Sequence, residues 1–126
     1  MAAPSPHRLR LPAASRLRST GEFARARREG ERVARGCLLV NWLRRDIEAP
    51  RRLGVVTSRK VGSAVARSRA RRLLREAFRL HQHELPPGLE VVLVARPSIA
   101  GKAFAAVEKD FLTVLSSQSL LPGHAA

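Results

Sequence analysis

The chain has no tyrosine, one tryptophan and four phenylalanines. That scarcity excludes a sheet that stacks several bases on its own aromatics, as an RRM does. A single cysteine excludes a disulfide framework and every multi-cysteine zinc site. No run approaches the roughly 20 apolar residues of a membrane span. Acid is scarce too, with 10 Asp and Glu against 24 Lys and Arg. A hydrolytic active site needs a base and an acid placed together, or carboxylates that hold metals. The aspartates are Asp46, in a predicted turn, and Asp110, in the last predicted helix. His81 and His83 are two apart on a predicted helix, so they point to different sides and read as solvated helix-end residues. There is no phosphate-cradling GxxxxGK[ST] and no Ser/His/Asp order. These residues do not describe a protein with its own active site.

What is present is a small basic domain. The 126 residues, 44% hydrophobic, suit one modest core, and the net charge is +14. Arg supplies 21 of the 24 basic groups, and its planar fork suits phosphates and base edges. Residues 1–80 hold 21 basic and 6 acidic groups, whereas residues 81–126 hold 3 and 4. Binding therefore belongs to the first two-thirds. The expected partner is anionic, with nucleic acid first and an anionic membrane surface second.

Pro4, Pro6 and Pro12 make residues 1–15 a poor helix, and a flexible basic arm is expected there. Met1 to Gly21 has the Arg- and Ser-containing, acid-free composition of a transit peptide but no apolar signal core. We read it as an arm that touches RNA, and the chain as cytoplasmic. Ser19 or Thr20 caps a short helix from about Gly21 to Arg28, closed by Gly30. Val33 to Leu43 reads as one strand, with Leu38, Val40 and Trp42 on one face and Cys37, Leu39, Asn41 and Leu43 on the other. A turn through Asp46 and Pro50 leads to a second strand, Leu53 to Ser58, and the pair reads as a hairpin. After a basic loop, Ser63 caps the longest helix, to about His83, stopped by Pro86-Pro87-Gly88. Leu89 to Ala95 is a strand buried on both faces. Lys102 to Leu115 is a final amphipathic helix. Residues 16–116 form the binding domain, and 117–126 a loose tail. Leu38, Val40, Val55, Leu73, Leu74, Val92, Val94, Phe104 and Phe111 are expected in one core.

The long helix carries the chemistry. With Arg67 at zero on a wheel of about 100° per residue, Arg71, Arg75, Arg79 and Arg72 fall at about 40, 80, 120 and 140°. Leu80, Leu73, Ala66, Ala77, Ala70 and Leu74 fall between about 220 and 340°, with Arg69 at the boundary near about 200°. Arginines one turn apart without matching acids repel by a few tenths of a kcal/mol per pair. Only Glu76 interrupts them, so this stripe expects an anionic partner. A membrane-surface helix is disfavoured, because the apolar face is Ala-rich with no aromatic at its centre.

The stretch from Ser58 to Phe78, SRKVGSAVARSRARRLLREAF, resembles the signature of the protein subunit of bacterial ribonuclease P. That signature is a loop of the type KKVGNAV followed by a basic helix of the type RNRxKRxxRE. Arg16-Leu17-Arg18 and Phe23 upstream, Leu53-Gly54-Val55 before the loop and Ala95-Arg96-Pro97 after the third strand run support it. The resemblance implies an α+β, sandwich-like fold of order αβββαβα. Its sheet would be mostly antiparallel with four strands, so one of the three strand runs read above would have to be divided. It also implies a left-handed βαβ crossover, against the usual preference.

The resemblance further implies that a separate RNA subunit holds the catalytic site and that this protein assists it. Together they would remove the 5′ leader from precursor tRNA by Mg2+-dependent hydrolysis, with Mg2+ held mainly by RNA. Residue by residue, Arg59, Lys60, Arg67, Ser68, Arg69, Arg71, Arg72 and Arg75 would contact the catalytic RNA. Phe23, Arg27 and Asn41 would line a leader cleft between the first helix and the sheet. Ser68 stands where the motif has Asn. Arg27 and Asn41 stand at positions that are aromatic in the family; Arg27 can stack on a base, and Asn41 offers no aromatic face. The implied partners are the catalytic RNA and precursor tRNA, with no membrane and no protein partner. The competing reading is a basic ribosomal or DNA-binding protein that lays the same helix in a groove.

Overall fold

The computed structural model describes residues 15–122. The arm expected over residues 1–15 lies, but for Ser15, outside the described residues. The elements are α1 (Thr20–Glu29), β1 (Glu31–Arg35), β2 (Leu38–Arg44), β3 (Arg52–Val56), α2 (Ala64–His81), β4 (Leu89–Ala95) and α3 (Phe104–Ser117). The sheet order is β1-β2-β4-β3. β1–β2 and β2–β4 are antiparallel, and β3–β4 is parallel. The order αβββαβα and the βαβ unit β3–α2–β4 are those the resemblance implies.

The apolar run from Val33 to Leu43 is two strands. Arg35 pairs with Leu38 across a Gly36-Cys37 turn, and Gly36 has φ +55°. Any side chain on Gly36 would strike the Asp110 carboxylate of α3, which accepts a hydrogen bond from the Cys37 N–H at 3.0 Å. Burial, and then Asp110, push the Cys37 thiol up to about 11, so it stays protonated as a small buried hydrophobe. The expected hairpin between the Leu38 and Leu53 strands is not formed. β4 inserts between β2 and β3, a non-local pairing that hydrophobic pattern cannot specify.

Helix starts follow local chemistry. Ser19 and Glu22 form a reciprocal capping box at α1. The Ser63 hydroxyl accepts from the Ala66 N–H at the start of α2.

The single expected core is two clusters, one on each face of the sheet. Alternation along β2 and β4 sends Leu38, Val40, Trp42, Leu89, Val91 and Leu93 toward α2 and α3, where Leu74, Phe78, Val107 and Phe111 meet them. Val92 and Val94 face the other way, to Leu17, Phe23 and Ala26. Leu73 is only half-buried, whereas Phe78 is fully buried. Phe78 lies at about 20° on the wheel used above, inside the expected arginine stripe. The buried residues of α2 are Ala70, Leu74, Ala77 and Phe78, so the core-facing direction is turned toward Arg67. The tail is not loose at its start: Leu120 is buried and its N–H donates to the Leu115 carbonyl at 2.8 Å.

His81 is not a solvated helix-end residue. Its Nδ1 lies 2.5 Å from Glu84 Oε2 and its Nε2 2.8 Å from Glu108 Oε2, which bridges α2 to α3. Burial opposes the imidazolium, but the hydrogen bonds it donates to the Glu108 and Glu84 carboxylates, and their charges, outweigh it and raise the His81 pKa. A raised pKa stabilises the fold fully below the ordinary value of 6.5, and that contribution is lost as pH climbs through the raised value. The melting temperature of the wild type should therefore fall between neutral and alkaline pH, and His81→Gln should flatten that segment of the profile. A segment just as steep in the variant would remove His81 as its source.

Candidate nucleic-acid interface

The rotation of α2 sorts its basic residues. Arg72, Arg75 and Ser68 are exposed, while Arg67, Arg69 and Arg71 sit half-buried on the shoulders of the helix. Arg71 donates from Nη1 to Thr57 Oγ1 at 2.9 Å and from Nη2 to Ser68 Oγ at 3.1 Å, so its fork is oriented. Arg67 Nε donates to the Ser63 carbonyl at 3.4 Å. Arg69 Nη2 donates to the Lys102 carbonyl at 2.7 Å, which ties α2 to the segment before α3. Glu76 is engaged by Arg79 at 3.0 Å and does not neutralise the exposed arginines.

The loop before α2 is built to present charge. Ser58 Oγ accepts from the Lys60 N–H at the start of a 3-10 turn over Arg59–Val61, and Val61 is buried as its anchor. Arg59 and Lys60 are left exposed beside the N-terminus of α2.

A second basic region lies on the opposite face of the sheet. Register places Leu39, Val94 and Val56 abreast, then Asn41, Val92 and Gly54, then Leu43, Glu90 and Arg52. α1 lies over the second and third rows. Phe23 rests on Gly54, where a Cβ would come within 2.5 Å of its ring, and Ala26 is fully buried. A glycine inside a strand signals such an approach, and here it lets α1 sit low on the sheet. The first row remains half-buried and forms an apolar floor beside Phe23. Arg27, one turn after Phe23, is exposed.

Asn41 departs from its expected place in the leader contact set. It is 4% exposed, and its Nδ2 donates to the Ala26 and Glu31 carbonyls, each at 2.9 Å. A buried amide must satisfy its hydrogens within the protein. Asn41 does so by clamping the last turn of α1 to β1, so it supports the cleft from beneath. Opposite it, Glu90 is 2% exposed and accepts from Arg25 at 3.1 Å and Arg45 at 3.4 Å, while Arg52 joins it to Glu22. The floor residues and this ion network were not read from the sequence. Gly54 was the one local signal for them.

The family model for ribonuclease P matches residues 11–118. The ribonuclease P protein component of Gluconacetobacter diazotrophicus is 39% identical over 103 residues, which cover 81% of this chain and 89% of that one. That of Desulfovibrio desulfuricans is 40% identical over 121 residues and 92% of each chain. The solved ribonuclease P protein from Thermotoga maritima superposes with a TM-score of 0.71 at 28% identity, covering 79% of this chain and 94% of that one. The protein from Staphylococcus aureus, at 23% identity, shares the fold with a TM-score of 0.76 over 85% of this chain and 97% of its own. With the basic loop and helix on one face of such a sheet and the α1 cleft on the other, the chain belongs to the ribonuclease P family, as its protein component.

Proposed function

We propose that this protein uses two surfaces for two RNAs. The loop residues Arg59 and Lys60 with Arg67, Ser68, Arg71, Arg72 and Arg75 of α2 hold the catalytic RNA, with Arg69 holding the helix in place. Phe23 and Arg27, above the Leu39–Val94–Val56 floor, hold the 5′ leader of precursor tRNA. The observation that carries this reading is the exposed arginine face with its one interior acid, Glu76, already engaged by Arg79. Hydrolysis belongs to the RNA, and so does Mg2+. Among the described residues no group of three His, Cys, Asp or Glu side chains is placed to hold a metal ion. Among them, too, no helix is long and apolar enough to cross a membrane. The same reading puts the protein in the bacterial cytoplasm.

The test is reconstitution: the purified chain added to a candidate catalytic RNA at low Mg2+ should restore leader removal, and the chain alone should not cleave. Assembly should also be steeply salt-dependent. With about five phosphates neutralised, log K should fall against log salt with a slope near −4. A binding constant that barely moves with salt would exclude an electrostatic interface.

The two surfaces separate by mutation. Phe23→Ala removes a stacking face worth about 1–3 kcal/mol per base, so precursor tRNA should bind holoenzyme more weakly and mature tRNA should not. Arg72→Ala should weaken assembly whatever the substrate. Equal losses for both tRNAs in the Phe23 variant would leave Phe23 as a packing residue only.

A further inference from the structure

Between α1, β3 and α2 lies a pocket of about 80 Å3 lined by Arg16, Arg75, Phe23, Leu17 and Gly54. It joins the cleft to the arginine face, and no acid lines it. The main chain beneath Arg16 is fixed. Arg16 bridges Leu53 in parallel register, Arg52 Nη2 donates to the Arg16 carbonyl at 3.0 Å, and the Leu17 N–H donates to the Leu53 carbonyl at 2.8 Å. Arg52 is itself paired with Glu22, which removes the nearest carboxylate from competition. Arg71 stands by, held by Thr57 and Ser68.

We infer that Arg16, with Arg75 at the edge of the α2 arginine face lending its charge from across the pocket, forms a seat for one phosphodiester of single-stranded RNA, the group that follows the nucleotide stacked on Phe23. This rests on the reading of the cleft as the leader site. Shape allows it: the pocket is a small recess of about 80 Å3 with two guanidinium side chains in its wall. Charge supports it as well. Desolvation, then the Arg16 and Arg71 charges, pull Arg75 below its ordinary pKa, and an anion held between these guanidiniums would offset their like charge. Position does the rest, because a leader running from the cleft toward the catalytic RNA must pass this seam.

The experiment uses reconstituted holoenzyme and precursor tRNAs carrying one neutral methylphosphonate at each leader position in turn. Arg16→Gln should lower precursor affinity by about tenfold, the scale of one charge-assisted hydrogen bond, and leave mature tRNA unchanged. Arg16→Lys should retain part of it. One methylphosphonate should cost wild type a similar factor and cost the Gln variant nothing more. Losses that multiply at every position would overturn the seat while leaving the leader cleft intact. Weakened binding of catalytic RNA with precursor preference unchanged would assign the phosphate to that RNA and overturn it too. No preference of wild-type holoenzyme for precursor over mature tRNA would overturn the cleft reading and the seat together. The wild-type scan needs no protein variant, so folding does not confound it.

Discussion

Phe78→Ala is expected to cost about 3–5 kcal/mol of folding stability, the range for emptying a fully buried aromatic site. Total stabilities of domains this size lie near 5–15 kcal/mol, so much of the margin would go with one side chain. Phe78 is 0% exposed and packs in the cluster that joins α2 to the sheet and α3. The half-buried Leu73 is the matched comparison: Leu73→Ala removes less contact and should cost clearly less. Urea titration of both variants decides the matter, read as midpoint shifts at constant slope. If Leu73→Ala proved the costlier change, the core direction of α2 would be the Ala- and Leu-rich one that the wheel alone suggests. Arg67 and Arg71 would then stand clear of the core instead of on its shoulder.

The same helix shows what a sequence can and cannot disclose. Ser63, the arginine spacing and the Pro86-Pro87-Gly88 stop were legible because each acts within a turn or two of chain. Where the helix faces was not, because one large side chain, Phe78, outweighs several alanines in setting the buried direction. Strand existence was legible from the runs at 33–43, 53–58 and 89–95, yet Gly36 was passed over inside the first of them. Neighbours in the sheet depend on contacts far apart in sequence, so the hairpin inference failed where β4 inserts. Of the candidate site, the basic loop and helix form one continuous motif, so the sequence marks them without any knowledge of the fold. Asn41 was misplaced because its partners, the Ala26 and Glu31 carbonyls, are backbone atoms that no residue pattern marks. Glu90 was invisible for a related reason. An acid inside an apolar strand has meaning only once Arg25, Arg45 and Arg52 are known to converge on it.

Glu90→Gln tests whether that convergence holds the cleft in shape. The change keeps the volume but leaves three guanidiniums around a neutral amide. Breaking a buried pair costs about 3–5 kcal/mol. Here the arginine side chains retain 24–39% exposure and can recover some hydration, so a loss of about 3 kcal/mol is expected. The functional consequence is more specific. Arg25 on α1 and Arg52 on β3 both reach Glu90, and Arg52 also grips Glu22 in the capping box of α1. Backbone hydrogen bonds from Arg18 and Ser19, with Arg52 assisting against burial, hold Glu22 down at about 2. A depressed carboxylate stabilises the fold above its ordinary value of 4.5, and that contribution disappears as pH falls through about 2. The start of α1 should therefore remain capped in mild acid in the variant as in the wild type. Its seat on the sheet should loosen, because the Glu90 link is gone at every pH. Phe23 rides on α1, so the preference of holoenzyme for precursor over mature tRNA should shrink in Glu90→Gln. Affinity for the catalytic RNA, which the proposed function places on α2 at the opposite face of the sheet, should hold wherever the variant is folded. Measured well below the variant's melting temperature, an unchanged precursor-to-mature ratio would show that Gly54 and Asn41 suffice to seat α1, and that the ion network serves stability alone.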